Sequence, residues 1–199
     1  MKKLILCAIM LLFILGTAGC SKEDVKLTAD NVTTNTILAK SNGVLQVATI
    51  EEFNKPYYNL NELEDFIANE VAVYNKAAGE QKVTIEDVKL NDGKAVLLLT
   101  YSGMDQYANF NDAVAAYFNG GVSEVPLDLP ATLVSEKNGS LASTQEIIGN
   151  NKLKILVMNE PYDIIVDGTI KYYSENATYV DDNKVQGATE GMTIVVFKP

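Results

Sequence analysis

Three residue types are missing from this chain of 199 residues. It has no histidine and no tryptophan, and all 16 of its basic residues are lysine, so arginine is absent too. Without histidine, the commonest catalytic acid/base and the commonest metal ligand are excluded. Without arginine, the bidentate fork that recognises phosphate and guanine is excluded. With 47% hydrophobic and 21% charged residues, a collagen, a disordered tail and a multi-span membrane protein are excluded as well.

Cysteine is scarce, and both copies, Cys7 and Cys20, lie near the N-terminus. Residues 21–199 therefore form no disulfide among themselves and offer no thiol for catalysis or metal binding. The chain also contains no S-x-x-K, G-x-S-x-G, P-loop or G-x-G-x-x-G motif. We predict that the protein is not an enzyme and that it uses no cofactor.

The first twenty residues have the pattern of an export signal. A basic start, Met1-Lys2-Lys3, precedes an uninterrupted apolar run of 12 residues, Leu4 to Leu15. This run is too short for a membrane-spanning helix, which needs about 20 apolar residues. The next residues, Thr17-Ala18-Gly19-Cys20, resemble the lipobox of bacterial lipoproteins, with Thr17 in place of the usual Leu. The resemblance covers only this segment. It implies cleavage before Cys20, lipidation of the Cys20 sulfur, and anchoring in membrane lipid at the extracytoplasmic face of the cell membrane.

We predict three parts: a signal peptide (1–19), the lipidated Cys20 with a polar tether (20–32), and one extracytoplasmic domain (33–199). When Lys2 and Lys3 are removed with the signal, 14 lysines remain against 26 acids, so the formal charge is −12. A surface of this charge repels nucleic acid and anionic lipid headgroups. We therefore expect no nucleic-acid partner.

Turn signals recur through the domain and are flanked by apolar or β-branched runs, which is the pattern of β-hairpins. The turns are Ser41-Asn42-Gly43, Asn91-Asp92-Gly93, Asn138-Gly139, Asn150-Asn151, Asp167-Gly168 and Asp182-Asn183. The runs predict strands over Thr36–Lys40, Val44–Glu51, Lys82–Leu90, Lys94–Tyr101, Lys152–Met158, Tyr162–Val166, Thr169–Tyr173 and Met192–Phe197.

Two segments have helical spacing instead. Residues Asn59 to Ala78 carry an apolar stripe with Asn59 and Glu62 as a capping box, Tyr58 as a staple onto Leu63, and Gly79 as the stop. The stripe consists of Leu63, Phe66, Ile67, Val71, Tyr74 and Ala78. A second helix is predicted from Asp105 to Asn119, burying Phe110, Val114, Tyr117 and Phe118. Ser143 and Glu146 indicate a further short turn.

These elements predict an α+β fold: a mostly antiparallel sheet built from hairpins, with two main helices packed on one face. The order strand, turn, strand, helix occurs twice, with Asn42-Gly43 and Asp92-Gly93 placed 50 residues apart. This spacing indicates either a weak ββα duplication or the ordinary alternation of hairpins and helices.

Carboxylates are the remaining candidates for chemistry. Glu160 and Asp163 flank Pro161-Tyr162, where a glycosidase-like carboxylate pair would lie at the rim of a cleft. Two acidic clusters, Asp181-Asp182-Asn183 and Asp87 with Asn91-Asp92, suit calcium in composition, but neither matches an EF-hand loop. Solvated turn acids explain both clusters better than calcium binding does, so we predict no metal site.

Adjacent tyrosines at Tyr57-Tyr58 and Tyr172-Tyr173 are candidates for stacking on sugar rings. Neighbouring strand residues point to opposite faces, so we expect one ring of each pair in the core and one outside. Our leading hypothesis is a non-catalytic, lipid-anchored protein that binds a protein partner or scaffolds an envelope assembly. The alternative is a solute- or glycan-binding module that delivers its ligand to a membrane complex, and a carboxylate hydrolase comes third.

Overall fold

The computed structural model describes residues 25–121 and 127–199, which form a mixed α and β fold of mostly antiparallel sheets. Its three helices are α1 (Leu60–Ala78), α2 (Met104–Asn111) and α3 (Thr144–Ile148). Its strands are β1 (Thr36–Ala39), β2 (Leu45–Glu52), β3 (Val83–Asn91), β4 (Lys94–Tyr101), β5 (Ala115–Asn119), β6 (Thr132–Ser135), β7 (Leu141–Ser143), β8 (Lys154–Met158), β9 (Asp163–Val166), β10 (Thr169–Tyr173), β11 (Thr178–Asp181), β12 (Lys184–Gln186) and β13 (Thr193–Lys198).

The strands form two sheets, whereas we predicted one. Sheet A has seven strands in the order β11-β12-β9-β1-β2-β4-β3, and sheet B has six in the order β5-β8-β13-β10-β6-β7. Within the described residues, every strand pair is antiparallel except β1 with β9. All eight predicted strands are confirmed, while five short ones (β5, β6, β7, β11 and β12) were missed.

The main core lies between the two sheets. Sheet A contributes Leu45, Val47 and Leu99 to it, and sheet B contributes Leu156 and Phe197. Alternate residues of the same strands face outward into two smaller clusters, because side chains alternate along a strand. Helices α1 and α2 both add side chains to the main core.

Each predicted turn lies between consecutive elements, and five of the six join consecutive strands. At Asp167-Gly168 the chain passes from β9 in sheet A to β10 in sheet B. A Cβ at Gly168 would lie 2.5 Å from the carbonyl oxygen of Lys198. Glycine is therefore required by the close approach of the two chain segments where the sheets meet.

Helix α1 begins and ends as predicted. The Asn59 side chain accepts a hydrogen bond from the Asn61 N–H at 3.0 Å, and Gly79 ends the helix in the left-handed conformation with φ of 73°. The predicted stripe is only partly buried: Val71 is in the core, but Phe66 is 59% exposed and Ala78 is also exposed.

The second predicted helix, Asp105 to Asn119, is wrong beyond Asn111. Helix α2 stops at Asp112, which adopts left-handed angles (φ 51°, ψ 43°). The chain then forms strand β5, which pairs with β8, so Tyr117 faces the main core and Phe118 faces the outer cluster of sheet B. Residues 115–118 of β5 are half-buried on both faces of the strand. Such a strand carries adjacent apolar residues, which also fit a helical spacing.

The N-terminal segment also differs from the prediction. We expected residues 20–32 to be a tether, yet Leu27 and Ala29 are 3% and 2% exposed. Leu27 packs on the outer face of sheet A against Leu38 and Leu98, and its N–H donates to Gln46 Oε1 at 3.1 Å. Any free tether is therefore shorter than predicted, since the packed chain already includes Leu27.

Candidate functional site

An apolar cleft lies where sheet A emerges from beneath sheet B. The inward-facing residues of β2 change from buried Leu45 and Val47 to half-buried Thr49 and exposed Glu51. Thr49 lines the floor of the cleft together with Ala95 and Leu97 of β4. The long strands β2 and β4 thus continue past the region that the opposite sheet covers, and their apolar ends stay accessible.

The walls of the cleft come from α1 and from the turn that precedes it. Leu63 and Ile67 of α1 line one side, and Phe53 and Tyr58 line the other. The rings of Phe53 and Tyr58 are stacked, with centroids 4.8 Å apart and planes at 25°. The cleft has a volume of about 370 Å³. This volume accommodates a few side chains of a bound segment.

The rim of the cleft is acidic. Glu51 and Glu52 both line it; Glu52 is paired with Lys94 at 3.4 Å, whereas Glu51 forms no ion pair with any other described residue. Helix α1 carries four acids (Glu62, Glu64, Asp65 and Glu70) against a single base, Lys76. The cleft therefore combines an apolar floor with two carboxylates at its rim, beside a helix of net negative charge.

An exposed apolar strip extends from the cleft along α1. Phe66 follows Leu63 by three residues, so both lie on neighbouring parts of one helix face. Phe66 is 59% exposed and Val73, two turns later, is 58% exposed. Only Val71 of α1 is fully buried. Large exposed apolar side chains arranged beside a cleft are typical of interaction surfaces.

The two tyrosine pairs behave differently. Tyr172 packs in the outer cluster of sheet B and Tyr173 in the main core, as alternation predicts for a strand. For Tyr57 and Tyr58 that prediction is wrong, because they lie in a turn and are 74% and 43% exposed. Their planes are 77° apart, so they form no single flat platform for a sugar. The preceding Pro56 marks this turn in the sequence, and Phe53 was missed as the stacking partner of Tyr58.

Cys20, the predicted lipidation site, lies outside the described residues. The carboxylates proposed for catalysis do not form a free pair. Asp163 is paired with Lys184 at 2.8 Å and accepts a hydrogen bond from Thr34 Oγ1 at 2.9 Å. Burial raises the pKa of Glu160 above its usual 4.5. Next to it, burial moves the pKa of Tyr107 strongly upward, so its phenol stays protonated.

The acidic turns considered for calcium are held by local hydrogen bonds. Asp181 Oδ1 accepts from the Asn183 N–H at 2.9 Å, and Asp182 Oδ1 accepts from Tyr179 Oη at 3.0 Å. Asp92 occupies the β3–β4 turn with φ of 49°. Across residues 25–121 and 127–199, no group of three His, Cys, Asp or Glu is arranged to hold a metal ion.

Two further cavities flank residues 128–130. One, of about 310 Å³, is lined by Ser174, Glu175 and Asn176; the other, of about 480 Å³, by Leu127, Thr144 and Ile148. The Thr144 hydroxyl is buried and has no hydrogen-bond partner among the residues that the structure describes. Neither cavity has aromatic lining, so the cleft between α1 and sheet A is the more suitable surface for recognition.

No family model, no curated protein and no solved structure matches this chain. In the part of the chain that the structure describes, no helix is both long and apolar enough to cross a bilayer.

Proposed function

We propose that this chain is a lipid-anchored protein of the extracytoplasmic face of the bacterial cell membrane, and that it acts without catalysis by binding a segment of another protein in the cleft between α1 and sheet A. The anchor rests on the resemblance of Thr17-Ala18-Gly19-Cys20 to a lipobox. The binding role rests on one observation above all: an aromatic-walled apolar cleft that remains open in the folded chain.

The composition of the cleft favours a peptide segment over a small solute. Its lining is dominated by the apolar side chains of Phe53, Leu63, Ile67 and Leu97, with few polar groups converging on one point. Small-molecule sites usually carry several placed polar groups that fix the orientation of the ligand. An open apolar groove bordered by exposed Phe66 instead suits the apolar side chains of an amphipathic segment.

The negative charge near the cleft indicates which charge the partner carries. Glu51 borders the apolar floor, and the neighbouring helix α1 carries four acids against one base. A segment with lysine or arginine beside apolar residues would be attracted to this surface, and an acidic segment would be repelled. The partner we propose is therefore a basic, amphipathic protein segment.

Binding can be measured by fluorescence anisotropy on the full chain in nanodiscs of zwitterionic lipid, with empty nanodiscs as the control. The probes are a labelled peptide of alternating Lys and Leu, its Glu and Leu counterpart, and a peptidoglycan fragment. We expect the basic peptide to bind, with an affinity that falls as salt is added. Failure of the basic peptide to bind any better than the acidic one would refute the proposal.

Tyr57 and Tyr58 provide a matched pair of variants. Tyr58 lines the cleft, while Tyr57 is more exposed and does not. We expect Tyr58→Ser to weaken peptide binding by roughly tenfold, in the range of a moderate interface hot spot, and Tyr57→Ser to leave it unchanged. The glycan alternative predicts the reverse, namely binding of the peptidoglycan fragment that is lost in Tyr57→Ser.

We also propose that the ββα order reflects a duplication. The observed order β1, β2, α1 is followed by β3, β4, α2. Ala48 and Leu98, which are 50 residues apart like the two turns, lie directly opposite each other in the β2–β4 pair. A two-fold relation between the hairpins brings equivalent residues together in this way. A crystal structure in which residues 36–52 fail to superpose on residues 86–102 would contradict it.

A further inference from the structure

Strand β5 ends sheet B with one edge unpaired. Its pairing with β8 is set by two flanking hydrogen bonds, from the Asn159 N–H to the Val114 carbonyl (3.2 Å) and from the Gly120 N–H to the Leu153 carbonyl (2.8 Å). Main-chain groups alternate in direction along an antiparallel strand. The even-numbered residues of β5 therefore face β8, and the odd-numbered ones face away from it.

The outward main-chain groups belong to Ala115, Tyr117 and Asn119. Elsewhere in the described chain, no group forms a hydrogen bond to the N–H or C=O of these three residues. The side chain of Tyr117 is held in place by its hydroxyl, which donates to the Lys40 carbonyl at 3.2 Å. Within residues 25–121 and 127–199, β5 thus presents a row of main-chain donors and acceptors that have no hydrogen-bond partner.

Among the described residues, the other three edge strands carry features that hinder pairing, whereas the sequence and register of β5 carry none. β3 has a bulge between Ile85 and Asp87 and carries charges, β11 has a register shift before Asp181, and β7 is only 3 residues long. Such features are common devices that prevent edge-to-edge association. β5 has five residues, no charge and an unbroken register with β8.

We propose that β5 is a self-association edge, at which a second copy of this chain adds its own β5 in antiparallel pairing. In a two-fold contact, each side chain of one β5 lies opposite the same residue, or a near neighbour of it, in the other copy. A charged strand would therefore place like charges opposite each other. The mature chain carries a formal charge of −12. The uncharged sequence Ala-Ala-Tyr-Phe-Asn is therefore suited to pairing with a second copy of itself. If the partner were a basic strand of another protein, acidic residues would be expected in β5.

The pairing has a defined register. If the two five-residue strands overlap fully through their odd-numbered residues, the two-fold axis passes through the Tyr117 pair, and Ala115 of one copy lies opposite Asn119 of the other. Opposed residues of this kind have Cα atoms about 5.5 Å apart, within the range that a disulfide spans. Within one copy, residues 115 and 119 are about 14 Å apart along the strand, which is too far for a disulfide.

This register can be tested by oxidative crosslinking of the full chain in detergent, with Cys7 and Cys20 replaced by Ser in every variant. We expect Ala115→Cys combined with Asn119→Cys to form a covalent dimer. Each single variant should form none, because its two cysteines are separated by about 14 Å across the axis. A mixture of the two single variants should crosslink again, which keeps the test valid if the double variant folds poorly.

A second measurement uses Asn119→Pro. Proline removes the outward N–H at the end of the strand and leaves the main-chain hydrogen bonds to β8 in place. It also removes the side-chain bond that Asn119 Oδ1 accepts from Lys154 Nζ on β8. Sedimentation equilibrium should show concentration-dependent dimers for the wild type and their loss in Asn119→Pro. Three results would each overturn the proposal. The single variants could crosslink as strongly as the double variant, the wild-type chain could be monomeric at all concentrations, or dimers could persist in Asn119→Pro.

Discussion

The packing of the N-terminal segment on sheet A can be tested by replacing Leu27 with Ala. Leu27 is 3% exposed and packs against Leu38, Ala48 and Leu98. Truncation of a buried leucine to alanine costs about 2–5 kcal/mol of unfolding free energy, depending on how far the site collapses. The cluster around Leu27 is small and lies near the N-terminal end of the described chain, so we expect the lower part of that range, about 2–3 kcal/mol.

The assay is thermal unfolding of the full chain followed by circular dichroism. For a domain of this size, 1 kcal/mol shifts the midpoint by about 2–4 °C, so Leu27→Ala should lower it by roughly 5–10 °C. Val25 is 38% exposed, and Val25→Ala is the matched control, with an expected change of less than about 0.5 kcal/mol. Equal midpoints for the two variants would show that residues near Leu27 are a free tether, as the sequence alone indicated.

Three further variants test other parts of the fold by thermal unfolding. Gly168→Ala should cost about 2 kcal/mol or more, because its Cβ meets the Lys198 carbonyl oxygen at 2.5 Å. The control is Gly149→Ala, where φ is −66° and a Cβ makes only ordinary contacts at 3.5 Å; an effect of Gly168→Ala no larger than that of the control would contradict this. Asn75→Ala should cost about 2 kcal/mol, since its side chain bonds to the main chain of Lys82 and Val83; a neutral result would refute that role. Glu160→Gln should raise the midpoint at neutral pH, because burial raises the pKa of this carboxyl. At acid pH the Glu160 carboxyl is neutral and its burial does not destabilise the folded chain; this stability is lost as the pH rises through the raised pKa. The gain in midpoint from Glu160→Gln should therefore vanish near pH 4. A gain that does not change with pH would show that burial of the charged carboxyl is not its cause.

Local chemistry was sufficient to predict the β1–β2 and β3–β4 hairpins and the first helix. Asp92 and Gly93 both adopt positive φ, of 49° and 78°, which is what a tight two-residue hairpin turn requires. Likewise, the side chain of Asn59 caps the start of α1, and the left-handed backbone of Gly79 ends it. These features depend on residues within a few positions of each other, so one sequence is enough to find them.

The division into two sheets depends on contacts far apart in the chain. β1 pairs with β9 although Thr36 and Asp163 are separated by more than a hundred residues. Residues 113–119 became a strand because β8 was available as a partner, and nothing in their own spacing distinguishes that outcome from a helix. The exposed apolar residues beside the cleft were missed for a related reason: Phe66 has the spacing of a core residue, yet it is 59% exposed in the fold.

The packing of Leu27 constrains where the proposed cleft can act. Seven residue steps separate Cys20 from Leu27, and a fully extended chain covers about 25 Å in that distance. A lipid on Cys20 would therefore hold the outer face of sheet A, where Leu27 packs, close to the bilayer. The cleft opens on the inner face of the same sheet, so it would be presented on the side away from Leu27. A short anchor of this kind suits a partner that belongs to the same membrane or lies just above it, because it limits both the reach and the orientation of the binding surface.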